Sequence, residues 1–430
     1  MNGPGVLTSR GQSFLTLGGI TALAGVVLGY PDVTRVGLLL AVLPLLAMLW
    51  LRRRTPAIRV VRDVRPGRLT PDERGEVEVH FGNVGPVRTP MYLAEEQFDY
   101  AMGDRPRFLL PRMDPGEQRR LRYTVRSRHR GSYQLGPITL RLRDPFGLTH
   151  MAMHLTRTTE VLVVPRIFHL GSRGLRGQGR GTEGELPQMV ALHGEDDVSI
   201  RTYRDGDELR RVHWPATAHR GELMVRQEDR PARRRAVLLL DSRLTAHPGN
   251  GYHPSYEWAV SALASVARHL VADGFVVHLL TDGTVRDGTA GHQIDLDEVM
   301  SVLARVVPER GTTLEPVAAA AHAFTSGGVL VVAAVSAHDE EELRNLAVIR
   351  QPGCTAMAFV LDKAAFAGAD EAPDDAPDEL DHPHGAGREA ARLGRVLGDA
   401  GWQITVVGPQ SSIPAAWEGV RVGRGTVRSA

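Results

Sequence analysis

The sequence predicts an all-β region followed by an α/β region, both behind a pair of membrane helices. Three observations carry this reading. Two apolar, charge-free runs lie inside residues 1–54, the stretch 55–165 alternates with a period of two, and from Ala236 onward continuous apolar runs alternate with helical spacing. At 430 residues the chain is too long for one ordinary core and divides into several domains.

The first run is free of charge from Gly11 to Tyr30 and is strongly apolar from Phe14, and the second covers Val36 to Leu51. At 1.5 Å per helical residue each reaches about 25 Å, enough to cross a bilayer with little tilt. The polar segment Tyr30–Arg35 connects them, whereas Arg52, Arg53 and Arg54 follow the second run directly. That asymmetry predicts a two-helix hairpin in the cytoplasmic (inner) membrane, in contact with lipid through residues 14–51. Both termini and the soluble portion then lie on the cytoplasmic side. Reading the first run as a cleaved signal peptide is opposed by the second run, whose basic flank then conflicts with the new terminus. Between Arg52 and Arg68 stand seven arginines and one aspartate, a local charge of +6 that serves as a topology signal or holds anionic headgroups.

Residues 55–165 read as a β-sandwich. Val77, Val79 and Phe81 alternate with Glu76, Glu78 and His80, while Leu121, Tyr123 and Val125 alternate with arginines; Ile138, Leu140 and Leu142 repeat the pattern. Turn signals at Pro66-Gly67, Pro115-Gly116 and Gly136-Pro137 punctuate the runs. Within the motifs Arg130–Pro137 and Asp144–Leu148, Tyr133 and Phe146 are expected to anchor the core. Residues 166–200, glycine-rich from Gly171 to Gly184, lack the ending of a phosphate loop and read as a linker.

From 236 to 430 the chain reads as a Rossmann-like α/β domain. Strands are expected at Ala236–Leu240, Phe275–Leu280, Gly328–Val335, Thr355–Leu361 and Trp402–Val407. Helices are expected at Glu257–Asp273, Leu296–Val306, Leu314–Phe324, Glu340–Ile349 and Arg388–Asp399. The insertion 369–385 holds seven acids and three prolines and is expected to be disordered.

Overall charge excludes tight nucleic-acid wrapping, since 51 Lys+Arg face 50 Asp+Glu and the pI is about 8.1. Cys354, the single cysteine, excludes an intramolecular disulfide and a thiolate metal site. No Gly-x-Ser-x-Gly elbow and no His-Glu-x-x-His helix occurs. Asp381-His382-Pro383-His384 reads as a solvated loop rather than a chelate.

The distinctive segment is 201–235. It carries Arg201, Tyr203, Gly206, Asp207, Arg210, His213, Trp214, Thr217 and Ala218. Asp207 is placed to cap a short charged helix, with Arg211 four residues on; Arg210 stands four residues before the Trp214 indole, spaced for a cation–π contact. Such a cluster serves as a binding face for an anion or a partner's carboxylate, or as a staple supporting the strand at Ala236.

Together with the sandwich motif and the following strand, this Arg-x-Tyr-x-x-Gly-Asp-x-x-Arg-x-x-His-Trp pattern resembles the family catalogued as domain of unknown function 58. The resemblance implies two amino-terminal spans, a β-sandwich, the signature and a von Willebrand factor A-like domain. It also implies a MoxR-type AAA+ ATPase as partner, and it implies no catalytic residue or cofactor. Von Willebrand A domains often bind a divalent cation through Asp-x-Ser-x-Ser, a loop threonine and a later aspartate, which makes Asp241 the metal candidate, with Thr312 or Thr313 as the loop residue. Here Arg243 stands at the first serine position, and Ser336 follows the later strand without an aspartate, so no functional metal site is expected.

The expected function is therefore a non-enzymatic, membrane-anchored scaffold that docks the ATPase or its client. The alternative is an enzyme binding an anionic substrate through Arg201, Asp207, Arg210 and His213. A third reading is an anionic-lipid sensor using Arg52–Arg68.

Overall fold

The computed structural model describes residues 6–52, 57–171, 199–203, 212, 214–227, 234–249, 252–325, 328–336, 340–371 and 386–422. It forms two compact units, Met1–Pro165 and Arg166–Ala430.

The first unit opens with a short strand, β1 (Val6–Leu7), and two helices, α1 (Ser9–Leu28) and α2 (Pro31–Arg52), each long and apolar enough to cross a membrane. Thr8 caps α1 by accepting from the Gly11 amide at 3.1 Å. Gly29, at φ 73°, ends α1 in the left-handed conformation that glycine adopts without strain. Pro31 then starts α2, because the first helical position needs no amide donor. The connector is thus shorter than Tyr30–Arg35, and Arg35 pairs with Asp32 at 2.9 Å inside the first turns of α2. Glycines bring the two helices together. A β-carbon on Gly18 would strike the backbone of Gly37 and Ala41, and one on Gly37 would strike Ala22.

The strands that follow are β2 (Ile58–Arg65), β3 (Arg68–Leu69), β4 (Arg74–Asn83), β5 (Tyr92–Glu96), β6 (Arg107–Leu110), β7 (Gln118–Arg126), β8 (Gly131–Leu135), β9 (Ile138–Arg143), β10 (Thr149–Leu155) and β11 (Thr159–Val163). They form a five-stranded sheet β1-β10-β9-β5-β6 and two three-stranded sheets, β2-β4-β7 and β3-β11-β8. Every pairing is antiparallel except β3 with β11. The predicted alternation holds along β4, where Val77, Val79 and Phe81 are fully buried among Tyr92, Phe98, Leu110 and Met113. Tyr133 is half-buried against this core. Phe146 corrects the expectation of a second anchor, for it is 64 % exposed. The Asp144 carboxylate accepts from the Phe146 amide at 2.8 Å and holds this residue at the tip of a turn, clear of the sheets.

The second unit begins with a small antiparallel ribbon, β12 (Ser199–Thr202) with β13 (Met224–Gln227), and the intervening helix α3 (Trp214–Arg220). A five-stranded parallel sheet follows, made by β14 (Arg235–Leu240), β15 (Val276–Leu280), β16 (Leu330–Ser336), β17 (Thr355–Leu361) and β18 (Gln403–Val407). The spatial order is β15-β14-β16-β17-β18. The helices are α4 (Pro254–Ala272), α5 (Asp282–Arg286), α6 (Leu296–Arg305), α7 (Glu315–Phe324), α8 (Glu340–Val348), α9 (Lys363–Glu371), α10 (Ala386–Asp399) and α11 (Ile413–Val422). The central strand β16 is buried at every residue, as a parallel strand covered on both faces must be. One face packs Val331, Ala333, Val335, Ala356 and Ala358 against Val317 and Ala321 of α7, Leu346 of α8 and Leu393 of α10. On the other, α4 and α11 bring Trp258 and Trp417 onto Phe359.

Two expected boundaries move. The start of the linker, Arg166 to Gly171, packs on α4, where Ser265 accepts from the Phe168 amide at 2.9 Å and Leu170 is buried. Helix α9 runs to Glu371, into the first residues of the acidic insertion; residues 172–198 and 372–385 lie outside the described residues. Helices α5, α9 and α11 had no counterpart in the sequence reading.

Candidate functional site

In an open parallel sheet, ligands enter at the carboxyl ends of the strands, where the strand order reverses. Here the reversal lies between β14 and β16, adjacent in register through Leu240 and Ala334. At those ends stand Asp241, just past β14 and fully buried, and Ser336, the last residue of β16 and 2 % exposed.

Arg243 occupies this position. Its Nε and one terminal nitrogen donate to the two Asp241 carboxylate oxygens, each at 2.8 Å, and that terminal nitrogen also reaches the Ser336 carbonyl at 3.3 Å. The other terminal nitrogen pairs with Glu342 at the start of α8. Asp241 further accepts from the Arg243 amide at 3.2 Å and the Ser336 amide at 3.3 Å. Four donors match the roughly four lone-pair sites of a carboxylate. Burial opposes the charge on Asp241, but these donors and the guanidinium overcome it and hold its carboxyl below the usual range. Burial likewise opposes the charge on Arg243, but its two carboxylate partners push the guanidinium pKa up. Asp241 therefore offers no lone pair to a divalent cation, and the residues present do not fit a metal. Among the described residues no group of three or more His, Cys, Asp and Glu side chains is placed to hold one.

Neighbouring loops lock the network. Leu244 donates its amide to the Glu309 carbonyl at 2.8 Å, and the Glu309 amide returns a bond to Ser242 at 2.8 Å. The Thr312 hydroxyl lies 3.4 Å from the same Glu309 carbonyl. His247 is buried, with Nε2 2.8 Å from the Asp241 carbonyl and Nδ1 2.9 Å from Ser255 Oγ. A carbonyl only accepts, so Nε2 carries the proton and Nδ1 accepts from the serine. Burial lowers the pKa of this imidazole and keeps it neutral.

The signature residues are placed as follows. Arg201 lies on β12, paired in register with Val225; Tyr203 is half-buried and donates its amide to Leu223 at 2.7 Å. Thr217 on α3 accepts from the Met224 amide at 3.0 Å and so ties the helix to β13. Trp214 opens α3 and is 67 % exposed, and Ala218 is exposed as well. Gly206, Asp207, Arg210 and His213 lie outside the described residues. The short helix expected to follow Asp207 lies there too.

Sequence reasoning missed Glu342, the second carboxylate on Arg243, because it belongs to a helix and not to the strand end where an aspartate was sought. It also missed a second buried pair. In the first unit Arg62 donates to both Glu96 oxygens, at 2.8 and 3.3 Å, with both side chains fully buried, and reaches the Arg157 carbonyl at 2.7 Å. Nearby, an open groove of about 510 Å³ is lined by Gln97, Tyr100, Arg105, Ser132 and Gln134, with the Arg105 guanidinium 4.4 Å above the Tyr100 ring.

Two apolar helices, a β-rich unit and a parallel sheet whose switch point is filled by its own ion pairs define a class: a mixed α/β protein with two amino-terminal helices apolar enough to span a membrane. A family model described as "Protein of unknown function DUF58" matches residues 199–320, which cover the ribbon, α3 and the sheet as far as α7. The uncharacterized protein YeaD of Bacillus subtilis (strain 168) is 24 % identical over 146 residues, and the match spans 34 % of either chain. Among solved structures, a CARDB domain from Pyrococcus furiosus is 20 % identical, over 25 % of this chain and 89 % of that one, at a TM-score of 0.20. Spo0M, a sporulation control protein from Bacillus subtilis, is 13 % identical over 25 % of this chain and 50 % of its own, at a TM-score of 0.15.

Proposed function

We propose that the chain is a non-enzymatic adaptor anchored in the cytoplasmic membrane, with both termini cytoplasmic. Its von Willebrand factor A-like α/β unit docks a MoxR-type AAA+ ATPase or that ATPase's client. The observation that carries this reading is the closed switch point: Arg243 saturates the place where such a sheet would hold a ligand, so the unit presents surface rather than a reaction centre. The topology is supported by β1, which pairs with His150 and Thr149 of β10 and so returns the chain before α1 to the sheet that follows α2. The docking face is assigned to the ribbon and α3, where Trp214 is 67 % and Leu223 41 % exposed, since exposed aromatics anchor protein interfaces. The choice of partner rests on the resemblance of the signature to the domain of unknown function 58 family.

The test is a pull-down of detergent-solubilised full chain, wild type against Trp214→Ala, with the melting temperature of each recorded. Recovery of an ATPase by wild type and its loss from an equally stable variant is the expected result. Wild type that never recovers an ATPase refutes the partner, and equal recovery by both refutes the face.

A further inference from the structure

Both places where the chain meets the proposed membrane carry a loop with an apolar tip. At the entry, Thr8 donates from Oγ1 to the carbonyls of Gly147 and Leu148, at 2.7 and 3.0 Å, and from its amide to Leu148 at 2.9 Å. The turn Asp144–Leu148 is therefore held at the level where α1 begins, and Phe146 stands at its tip 64 % exposed. At the exit, Ala57 follows the end of α2 by five residues, a reach of at most roughly 17 Å. The Ala57 carbonyl accepts from the Val84 amide at 2.9 Å. Val84 and Val87 in that turn are 58 and 65 % exposed.

Each loop is built to hold its shape. The Asp144 carboxylate accepts from the Phe146 amide and from the Thr149 amide and hydroxyl. Asn83 plays the same part in the other loop, donating to the Val87 carbonyl at 2.8 Å and to the Met113 carbonyl at 3.1 Å while accepting from the Gly85 amide at 3.0 Å. Two side-chain-braced turns thus carry apolar residues outward, where a soluble β-domain would place polar ones. The same ends of the helices carry residue types typical of a bilayer interface, with Trp50 in the last turn of α2, 38 % exposed, and Arg10 in the first turn of α1, while exposed Arg143 precedes the Asp144 turn.

We propose that the β-rich unit rests on the lipid surface through these two loops, with Phe146 and Val84/Val87 inserted at headgroup depth beside the spans. The occupant is the bilayer, because one loop is bonded to Thr8, the cap of α1, and the other to Ala57, five residues past α2. This rests on the membrane reading of α1 and α2 and adds a second, non-spanning contact. The loops then fix the tilt of the unit on the membrane.

The test uses the full chain in a Cys354→Ala background, reconstituted in phosphatidylcholine/phosphatidylglycerol vesicles and carrying one environment-sensitive fluorophore. The label sits at Phe146→Cys, Val84→Cys, Leu39→Cys in the middle of α2, or Arg128→Cys. The last is in the turn between β7 and β8, at the other end of the ladder in which Arg74 faces Arg126. Spin-labelled lipids with shallow or deep quenchers report depth. Expected are deep quenching at position 39, blue-shifted emission with several-fold stronger shallow than deep quenching at 146 and 84, and water-like emission at 128. Positions 146 and 84 behaving like 128 while 39 is quenched overturns the loop contact alone. An unquenched 39 overturns the membrane reading and the loop contact with it.

Discussion

A buried arginine meets a buried carboxylate in each unit, Arg62 with Glu96 and Arg243 with Asp241, and the two carboxylates settle their charge in opposite directions. In the α/β unit, Asp241 receives two guanidinium bonds and two backbone amides, and its pKa falls. In the β-rich unit burial dominates, and despite the Arg62 bonds it raises the pKa of Glu96. Burial next to Glu96 also pushes up the pKa of the Tyr123 phenol. At Asp241 the guanidinium closes through two bonds of 2.8 Å, helped by the Arg243 amide, and outweighs burial, whereas at Glu96 one of the two Arg62 bonds is long, at 3.3 Å, and burial wins.

The largest break in this comparison is expected from Arg243→Met. It strands Asp241 without its cation and releases Glu342, and should remove about 3–5 kcal/mol from the α/β unit, read by denaturant unfolding or hydrogen exchange in β14 and β16. Arg62→Met should cost less, about 1–3 kcal/mol, because burial already raises the pKa of Glu96 and so eases its protonation once the cation is gone. A loss as large as that of Arg243→Met would show that Glu96 stays ionised without its partner.

The pH dependence sharpens the contrast. A depressed carboxyl contributes stability that is present above the unfolded value of about 3.9 and lost as pH falls through the folded value. The advantage of wild type over Asp241→Asn should therefore shrink in acid. A raised carboxyl works the other way, so wild type should lose ground to Glu96→Gln as pH climbs from about 4.3 through the raised value. Parallel profiles for the two variants would refute the assignment. The smallest effect is expected from Tyr133→Phe, whose hydroxyl bridges Ser127 and the His129 carbonyl at 3.0 Å each. About 1 kcal/mol, independent of pH, should separate this neutral bond from the charged ones.

Local periodicity made most of the scaffold legible. The charge-free runs marked both apolar helices, alternation marked β4, β7 and β9, and the continuous apolar runs marked all five strands of the parallel sheet, Thr355–Leu361 to the residue. Short helices such as α5 and α9 escaped because five to nine residues carry too little periodic signal. Of the candidate site, the sequence placed a cation beside Asp241 at Arg243, two residues away. It did not find Glu342, nor that Phe146 points away from the core it was expected to anchor.

The amino-acid sequence by itself determined the two apolar helices, the alternating strands β4, β7 and β9, the five strands of the parallel sheet and which carboxylate ends the first of them, since each follows from neighbours within a few residues. Only the tertiary structure decided the strand order, the pairing of β1 with β10, the pair Arg62–Glu96 across 34 positions and the contact of Arg243 with Ser336 across 93. Such contacts form because burial leaves a charged or polar group no water to bond with, so it must take whatever partner the packed fold brings within reach.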